Sequence, residues 1–188
     1  MKKTLIVVDV QHDFYHPLGS LYVRGGENIL SKIRNIISQF DHIIFTLDWH
    51  PSDHCSFKDN NGQWPVHCVK YTYGASLPFE LLCETKGNVS FYHKGMSSSI
   101  EEYGAFGELA IGNEFLIKER IQASNSTFTV CGIAGDYCVL ETIKNLLKLV
   151  PKEQVSVFLD GIVSIDGGEK LNNFIQENNL KIYQNDNQ

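Results

Sequence analysis

The chain has 188 residues, 43% of them hydrophobic and 20% charged, which is the balance of an ordinary globular protein with one continuous core. Its formal net charge is −6 and it has no Lys or Arg cluster, which argues against nucleic acid as a partner, because binding a polyanion needs a basic surface. No apolar run approaches the ~20 residues that span a bilayer, and no signal-peptide pattern follows the first lysines, so we expect one cytoplasmic domain over residues 1–188 without membrane contact.

Short apolar runs alternate with amphipathic stretches along the chain. The runs predicted to be strands are residues 4–10, 42–48, 88–94, 127–133, 154–160 and 180–183. The stretches predicted to be helices are residues 27–40, 113–123, 136–150 and 168–178. This alternation predicts a three-layer α/β/α domain with a mostly parallel sheet of about six strands. Residues 49–87 carry few regular signals and predict a long loop of the kind that often holds a functional site.

Charged residues stand at the carboxyl ends of two predicted strands, where ligands bind in open α/β sheets. Asp9 lies in the first apolar run, and burying its carboxylate unpaired would cost several kcal/mol. Lys94, at the end of the third strand, is the predicted partner. The two form either a purely structural ion pair or, next to a thiol, a pair that handles its proton.

Cys138 is the candidate nucleophile, in the stretch "GIAGDYCV" after the fourth strand. If it opens a helix, the positive end of the helix dipole is expected to lower the pKa of its thiol. Gly132 and Gly135 permit a tight turn whose N–H groups could form an oxyanion hole. The alternative is an inert buried cysteine, because buried cysteines are common and unreactive. The five cysteines are scattered and odd in number, which predicts a reduced protein without disulfide bonds.

The stretch "TLDWHPSDHCSF" is rich in metal-ligand side chains. Asp48 and His50 project to the same side if the backbone stays extended, and His67 follows in "WPVHC". One carboxylate and two imidazoles suit Zn²⁺, Fe²⁺ or Mn²⁺. His54 is either a fourth ligand or a residue outside the coordination sphere. The alternative for the whole stretch is a solvated polar loop.

Three aromatic residues are expected in loops near the candidate thiol and metal residues: Phe14, Trp64 and Tyr103. Large apolar side chains in such loops suggest the walls of a pocket for a flat ring.

Five short motifs occur in a fixed order along the chain: "DVQHDF", "DWHPSDHCSF", "WPVHC", "HKGM" and "GIAGDYCV". From Lys3 to about Ile165 the sequence resembles the isochorismatase-like cysteine hydrolases, and the metal and lysine motifs resemble their nicotinamidase branch. The resemblance implies a sheet of about six parallel strands flanked by helices.

The resemblance also implies site residues. It implies a triad of Asp9, Lys94 and Cys138, and an oxyanion hole formed by the backbone N–H groups of Ala134 and Cys138, with a cis peptide bond after Ile133. It implies one divalent metal, with zinc favoured over iron and manganese, bound by Asp48, His50 and His67. The aromatic pocket would be Phe14, Trp64 and Tyr103.

The activity implied is hydrolysis of a small molecule, nicotinamide, to nicotinate and ammonia through a cysteine thioester, in a chain that can form homo-oligomers. The alternatives are a metal-free amidohydrolase for ureido or carbamoyl compounds, a vinyl-ether hydrolase without a nucleophilic cysteine, and a silent binding protein. Two departures from the family pattern bear on substrate range: Gly135, which predicts a wider or looser nucleophile loop, and the segment "SSSIEEYGAF" around Tyr103.

Overall fold

A single six-stranded sheet forms the centre of the protein in the computed structural model, which describes residues 1–185. All strand pairs are parallel, in the spatial order β3-β2-β1-β4-β5-β6. The strands are β1 (Lys2–Val8), β2 (His42–Asp48), β3 (Asn88–Lys94), β4 (Ser126–Ile133), β5 (Val155–Val163) and β6 (Lys181–Ile182). The predicted mostly parallel sheet of about six strands is confirmed.

The strands lack a simple apolar–polar alternation because both faces of the sheet are covered. In β1, Leu5 and Val7 belong to the core on one side, whereas Ile6 and Val8 belong to the core on the other, and all four are fully buried. The sheet is therefore the middle of three layers.

Within the described residues, six α-helices flank the sheet. They are α1 (His12–Tyr15), α2 (Gly26–Ile37), α3 (Phe79–Cys83), α4 (Gly112–Gln122), α5 (Leu140–Leu147) and α6 (Glu169–Asn178). Apolar residues of α2 and α3 pack in one core, and those of α4, α5 and α6 pack in the other. Single 3₁₀ turns occur at Lys58–Asn60 and Lys152–Gln154.

Most predicted elements exist with ends displaced by a few residues. The first strand stops at Val8 instead of residue 10, because Asp9 has a positive φ of 48° and turns the chain out of the sheet. The predicted helix 136–150 is two elements, a π-helical turn (Gly135–Val139) followed by α5. The predicted strand 154–160 continues to Val163 past an irregularity in its pairing with β4.

The chain order reverses at the centre of the sheet, where β1 lies between β2 and β4. In doubly wound sheets such a reversal opens a crevice at the carboxyl ends of the strands. The long segment after β2, residues 49–87, starts at this edge and contains only a 3₁₀ turn and α3 as helices. Within residues 1–185, no helix has the length and apolar character needed to cross a membrane.

Candidate active site

Asp9, Lys94 and Cys138 come from three separate strand ends and meet at the carboxyl edge of the sheet. The Nζ atom of Lys94 lies 2.7 Å from Oδ2 of Asp9 and 3.6 Å from Sγ of Cys138. It also forms an ion pair with Oδ1 of Asp48, the residue directly across from it in the β2–β3 register. Thr46 donates a hydrogen bond of 2.6 Å to Oδ1 of Asp9. The sequence-predicted triad therefore shares one cluster with a predicted metal ligand.

Burial and charge act in opposite directions on the two ions of this cluster. Burial raises the pKa of Asp9 above its usual range; the Lys94 ammonium opposes this and the Asp48 carboxylate adds to it. Burial alone would lower the pKa of Lys94, but the carboxylates of Asp48 and Asp9 hold that pKa well above its usual value. Lys94 is thus a permanent cation that balances two carboxylates.

The expectation of a lowered Cys138 pKa is wrong. Cys138 lies in the π-helical turn that runs directly into α5, and not in the first turn of an α-helix. Burial raises the pKa of its thiol well above the usual value, although Lys94 opposes the shift. One carboxylate oxygen of Asp9 lies within 4.8 Å of Sγ of Cys138, so this carboxylate is the candidate acceptor of the thiol proton.

The turn that carries Cys138 depends on two glycines. Gly132 has φ +126°, and a Cβ atom there would overlap the carbonyl oxygen of Val8 on the neighbouring strand. A Cβ atom at Gly135 would overlap the hydroxyl of Ser164, so this glycine allows close packing and does not loosen the loop, contrary to the expectation. The peptide bond between Ile133 and Ala134 is cis, as the resemblance implied.

Asp48, His50 and His67 form the predicted donor cluster. One ligand atom from each lies within 4.8 Å of the others, and all three residues are buried. Oδ2 of Asp48 is 3.5 Å from Nε2 of His50 and 3.9 Å from Nε2 of His67. Nδ1 of His50 is 2.9 Å from the Gly95 carbonyl, and Nδ1 of His67 is 2.8 Å from the Pro65 carbonyl.

These carbonyls assign a proton to Nδ1 of each imidazole, because a carbonyl only accepts. Nε2 of each ring faces Asp48 and is the nitrogen that can bind a metal in the neutral ring. Two imidazole nitrogens and one carboxylate fit a divalent metal and leave positions for water or substrate.

His54 does not join this cluster. Its Nδ1 accepts a hydrogen bond of 3.2 Å from the Ser56 N–H, and its Nε2 lies 3.2 Å from the Ile100 carbonyl. Its ring stacks on that of His50, with centroids 4.0 Å apart. Both ring nitrogens therefore have protein partners, and the side chain supports His50 by packing.

Gln11 is a structural residue of the site that the sequence reasoning missed. Its side-chain amide donates to the carbonyls of Asp48 (2.8 Å) and Ala75 (3.0 Å), and its Oε1 accepts from the N–H of Asp48 at 2.8 Å. Gln11 thus fixes the backbone of Asp48, whose carboxylate contacts both Lys94 and the histidines. The one available signal was a glutamine two residues after a buried aspartate.

One pocket joins the two clusters. Asp48 and His67 line it together with Ala134 and Cys138. The predicted aromatic residues Phe14, Trp64 and Tyr103 all line it as well, although Phe14 lies in helix α1 and not in a loop. The lining residues that the sequence reasoning missed are Leu21, Val23, Glu101, Tyr137 and Ile165.

The aromatic side chains of the pocket are held by one another. Nε1 of Trp64 donates a hydrogen bond of 3.0 Å to the hydroxyl of Tyr103. The ring of Tyr137 lies 5.3 Å from the rings of both Trp64 and Tyr103. Such edge contacts fix a rigid apolar wall suited to a planar ligand.

Comparison with known proteins agrees with this geometry. The model of the isochorismatase domain matches residues 3–149. A curated nicotinamidase of Saccharomyces cerevisiae is 31% identical over 93% of this chain and 94% of its own.

Two solved structures share the whole fold. A pyrazinamidase of Pyrococcus horikoshii in complex with zinc is 30% identical with a TM-score of 0.81, covering 98% of this chain and 100% of its own. A protein of L. infantum in complex with nicotinate is 29% identical with a TM-score of 0.83, covering 97% of this chain and 92% of its own. The chain belongs to the isochorismatase-like hydrolase family and, within it, to the nicotinamidase and pyrazinamidase branch.

Proposed function

We propose that the protein hydrolyses nicotinamide to nicotinate and ammonia through a thioester on Cys138. The observation that carries this proposal is that Asp48 and His67 line the same pocket as Cys138 and Ala134, together with aromatic side chains. A planar ring with a carboxamide at its edge is the kind of substrate that can touch both sides of this pocket. The curated S. cerevisiae relative supports the assignment, since its name is nicotinamidase.

The metal ion would be held by Asp48, His50 and His67. We propose zinc as this ion, because the pyrazinamidase of P. horikoshii was solved in complex with zinc. The bound ion supplies a Lewis acid that can hold the pyridine nitrogen of the substrate. Phe14, Trp64 and Tyr103 would stack on or enclose the ring and fix its plane, so that the amide carbon faces Sγ of Cys138.

Asp9 acts as the general base and acid. It takes the thiol proton of Cys138 as sulfur attacks the amide carbon, and it returns that proton to the leaving nitrogen, which departs as ammonia. Asp9 then takes a proton from water as the water oxygen attacks the thioester carbon. The C–S bond breaks, nicotinate leaves, and Asp9 returns the proton to the sulfur, which restores the thiol. The permanent charge of Lys94, 3.6 Å from the sulfur, stabilises the thiolate as it forms.

The backbone N–H groups of Ala134 and Cys138 would bind the oxyanion of each tetrahedral intermediate. A donor of this kind contributes about 2.7–4 kcal/mol in comparable enzymes. The close packing of Gly132 on Val8 and of Gly135 on Ser164 keeps this turn in place and limits its reorganisation during the reaction.

Ammonia release from nicotinamide by the purified, zinc-loaded protein tests the proposal, with nicotinate identified by chromatography. A panel of ureido and carbamoyl compounds is run in parallel. We expect turnover of nicotinamide and much less of the panel. A folded, metal-loaded protein that hydrolyses ureido or carbamoyl compounds and leaves nicotinamide intact would overturn the proposal in favour of the metal-free type of amidohydrolase.

A further inference from the structure

We infer that Glu102 is a positioning residue for the metal ligand His50, acting through the peptide unit between Lys94 and Gly95. The inference rests on the metal centre of the proposed function. Glu102 lies in the segment "SSSIEEYGAF", which departs from the family pattern, and it is not among the residues that line the pocket.

His50 depends on Gly95 for its orientation. The Gly95 carbonyl accepts the hydrogen bond of Nδ1 at 2.9 Å, which leaves Nε2 free to bind a metal. Gly95 has φ +63°, and a Cβ atom there would overlap Cε1 of His50. The imidazole therefore lies directly against the backbone of Gly95, and any movement of that backbone moves the ligand.

The peptide unit that precedes Gly95 is held from both sides. Its carbonyl, that of Lys94, accepts a hydrogen bond of 2.9 Å from the N–H of Trp49. Its N–H, that of Gly95, donates a hydrogen bond of 3.1 Å to Oε2 of Glu102. The Trp49 bond continues the pairing of β2 with β3, whereas the Glu102 bond comes from a side chain seven residues further along the chain.

The intervening segment, residues 95–102, covers the metal-binding loop. The Ser98 carbonyl accepts from the N–H of Cys55 at 2.8 Å, and the Ile100 carbonyl lies 3.2 Å from Nε2 of His54. Glu102 thus closes a loop whose backbone touches the stretch that begins with His50. Loss of its carboxylate frees the Gly95 N–H and removes the side-chain bond that closes this loop.

Zinc binding by the protein tests the inference without reference to activity. The metal-free protein and its variants are titrated with Zn²⁺ against a chromogenic chelator, and circular dichroism checks that each is folded. Glu102→Ala removes the acceptor, and Glu102→Gln keeps an acceptor and removes the charge. Glu108→Ala, the control, removes the charge of an exposed glutamate further along the same segment of the chain.

We expect Glu102→Ala to weaken zinc affinity about three- to tenfold, less than the 10–100-fold that direct partners of ligating histidines contribute. Glu102→Gln and Glu108→Ala should bind zinc like the wild type. Unchanged affinity in Glu102→Ala would overturn the inference, as would an equal loss in Glu102→Gln or Glu108→Ala, which would show a plain charge effect. A wild type that binds no zinc would instead overturn the metal centre itself, and the inference with it.

Discussion

The two halves of the site are held in different ways. Asp9, Lys94 and Cys138 come from the ends of three strands and are fixed largely by contacts with one another. His50 and His67 come from the segment that follows one strand, and each is fixed by a backbone carbonyl. The thiol half therefore depends on mutual charge balance, whereas the metal half depends on the conformation of loops.

Asp48 belongs to both halves. Its Oδ1 pairs with Lys94 and its Oδ2 faces the two histidines. Lys94 and the histidines together lower the pKa of Asp48 in spite of its burial, so its carboxylate stays ionised for both roles. Variants that affect only one half are the sharpest way to test this division.

Cys138→Ala should produce the largest change in activity. We expect kcat to fall by about 10⁴-fold or more, because no other group can form the thioester. Zinc affinity should stay at the wild-type value, since the hydrogen bond of Sγ is with Lys94 and not with a proposed metal ligand. Steady-state ammonia release and a zinc titration measure the two effects, and Cys83→Ala, at an exposed cysteine, is the matched control. Substantial turnover by Cys138→Ala would contradict the assignment of the nucleophile.

Lys94→Met should produce the largest loss of stability. It leaves two buried carboxylates without their cation, which costs about 3–5 kcal/mol in the free energy of unfolding. Urea unfolding of the metal-free protein measures this loss. Lys144→Met removes a lysine of a half-exposed pair with Glu141 and should cost less than about 1 kcal/mol. Equal effects of the two substitutions would refute the view that charge balance holds the thiol half.

His67→Ala should act on the metal half alone. We expect zinc affinity to fall by about 100-fold or more, beyond the 10–100-fold attributed to partners outside the coordination sphere. His54→Ala should cost less, because both nitrogens of His54 already bind protein groups. Chelator competition gives both affinities. A larger loss in His54→Ala than in His67→Ala would reverse the assignment of these two residues.

The pH profile should show a smaller effect with a defined sign. Only ionised Asp9 can take the thiol proton, so kcat/KM should fall about tenfold per pH unit on acidification below the pKa of Asp9. Because burial raises that pKa, this fall should begin at a higher pH than it would for a free aspartate, whose pKa is about 3.9.

Thr46→Val sharpens this prediction. The Thr46 hydroxyl donates to Asp9 and favours its ionised form, so its removal should raise the pKa and move the acid limb to higher pH. An acid limb that stays in place or moves to lower pH would argue that another group controls it.

The sequence predicted the sheet and the residues that the structure brings together in each half, for identifiable reasons. Apolar runs without polar alternation are typical of strands covered on both faces, and they predicted the sheet. An aspartate or lysine at the end of such a run is buried and needs a partner of opposite charge, which identified Asp9 and Lys94 as candidates. The histidines were visible because few polar loops hold several metal-ligand side chains.

Other features could not be predicted because they depend on long-range packing. The raised thiol pKa of Cys138 follows from its burial, and sequence periodicity carries no signal for that burial or for the π-helical turn that holds the residue. The close packing of Gly135 depends on Ser164, and the bridging by Gln11 depends on Ala75. Each involves a contact between residues that are far apart in the sequence.

The most direct test of the central claim, that both halves act on one substrate, is the activity of the metal-free protein titrated with zinc. Ammonia release from nicotinamide is followed as Zn²⁺ is added to the chelator-treated wild type. We predict negligible turnover without metal and a linear increase that stops at about one zinc ion per chain, the stoichiometry of one three-ligand site. Full turnover in the metal-free protein would contradict the account, because Cys138 would then act without the metal half.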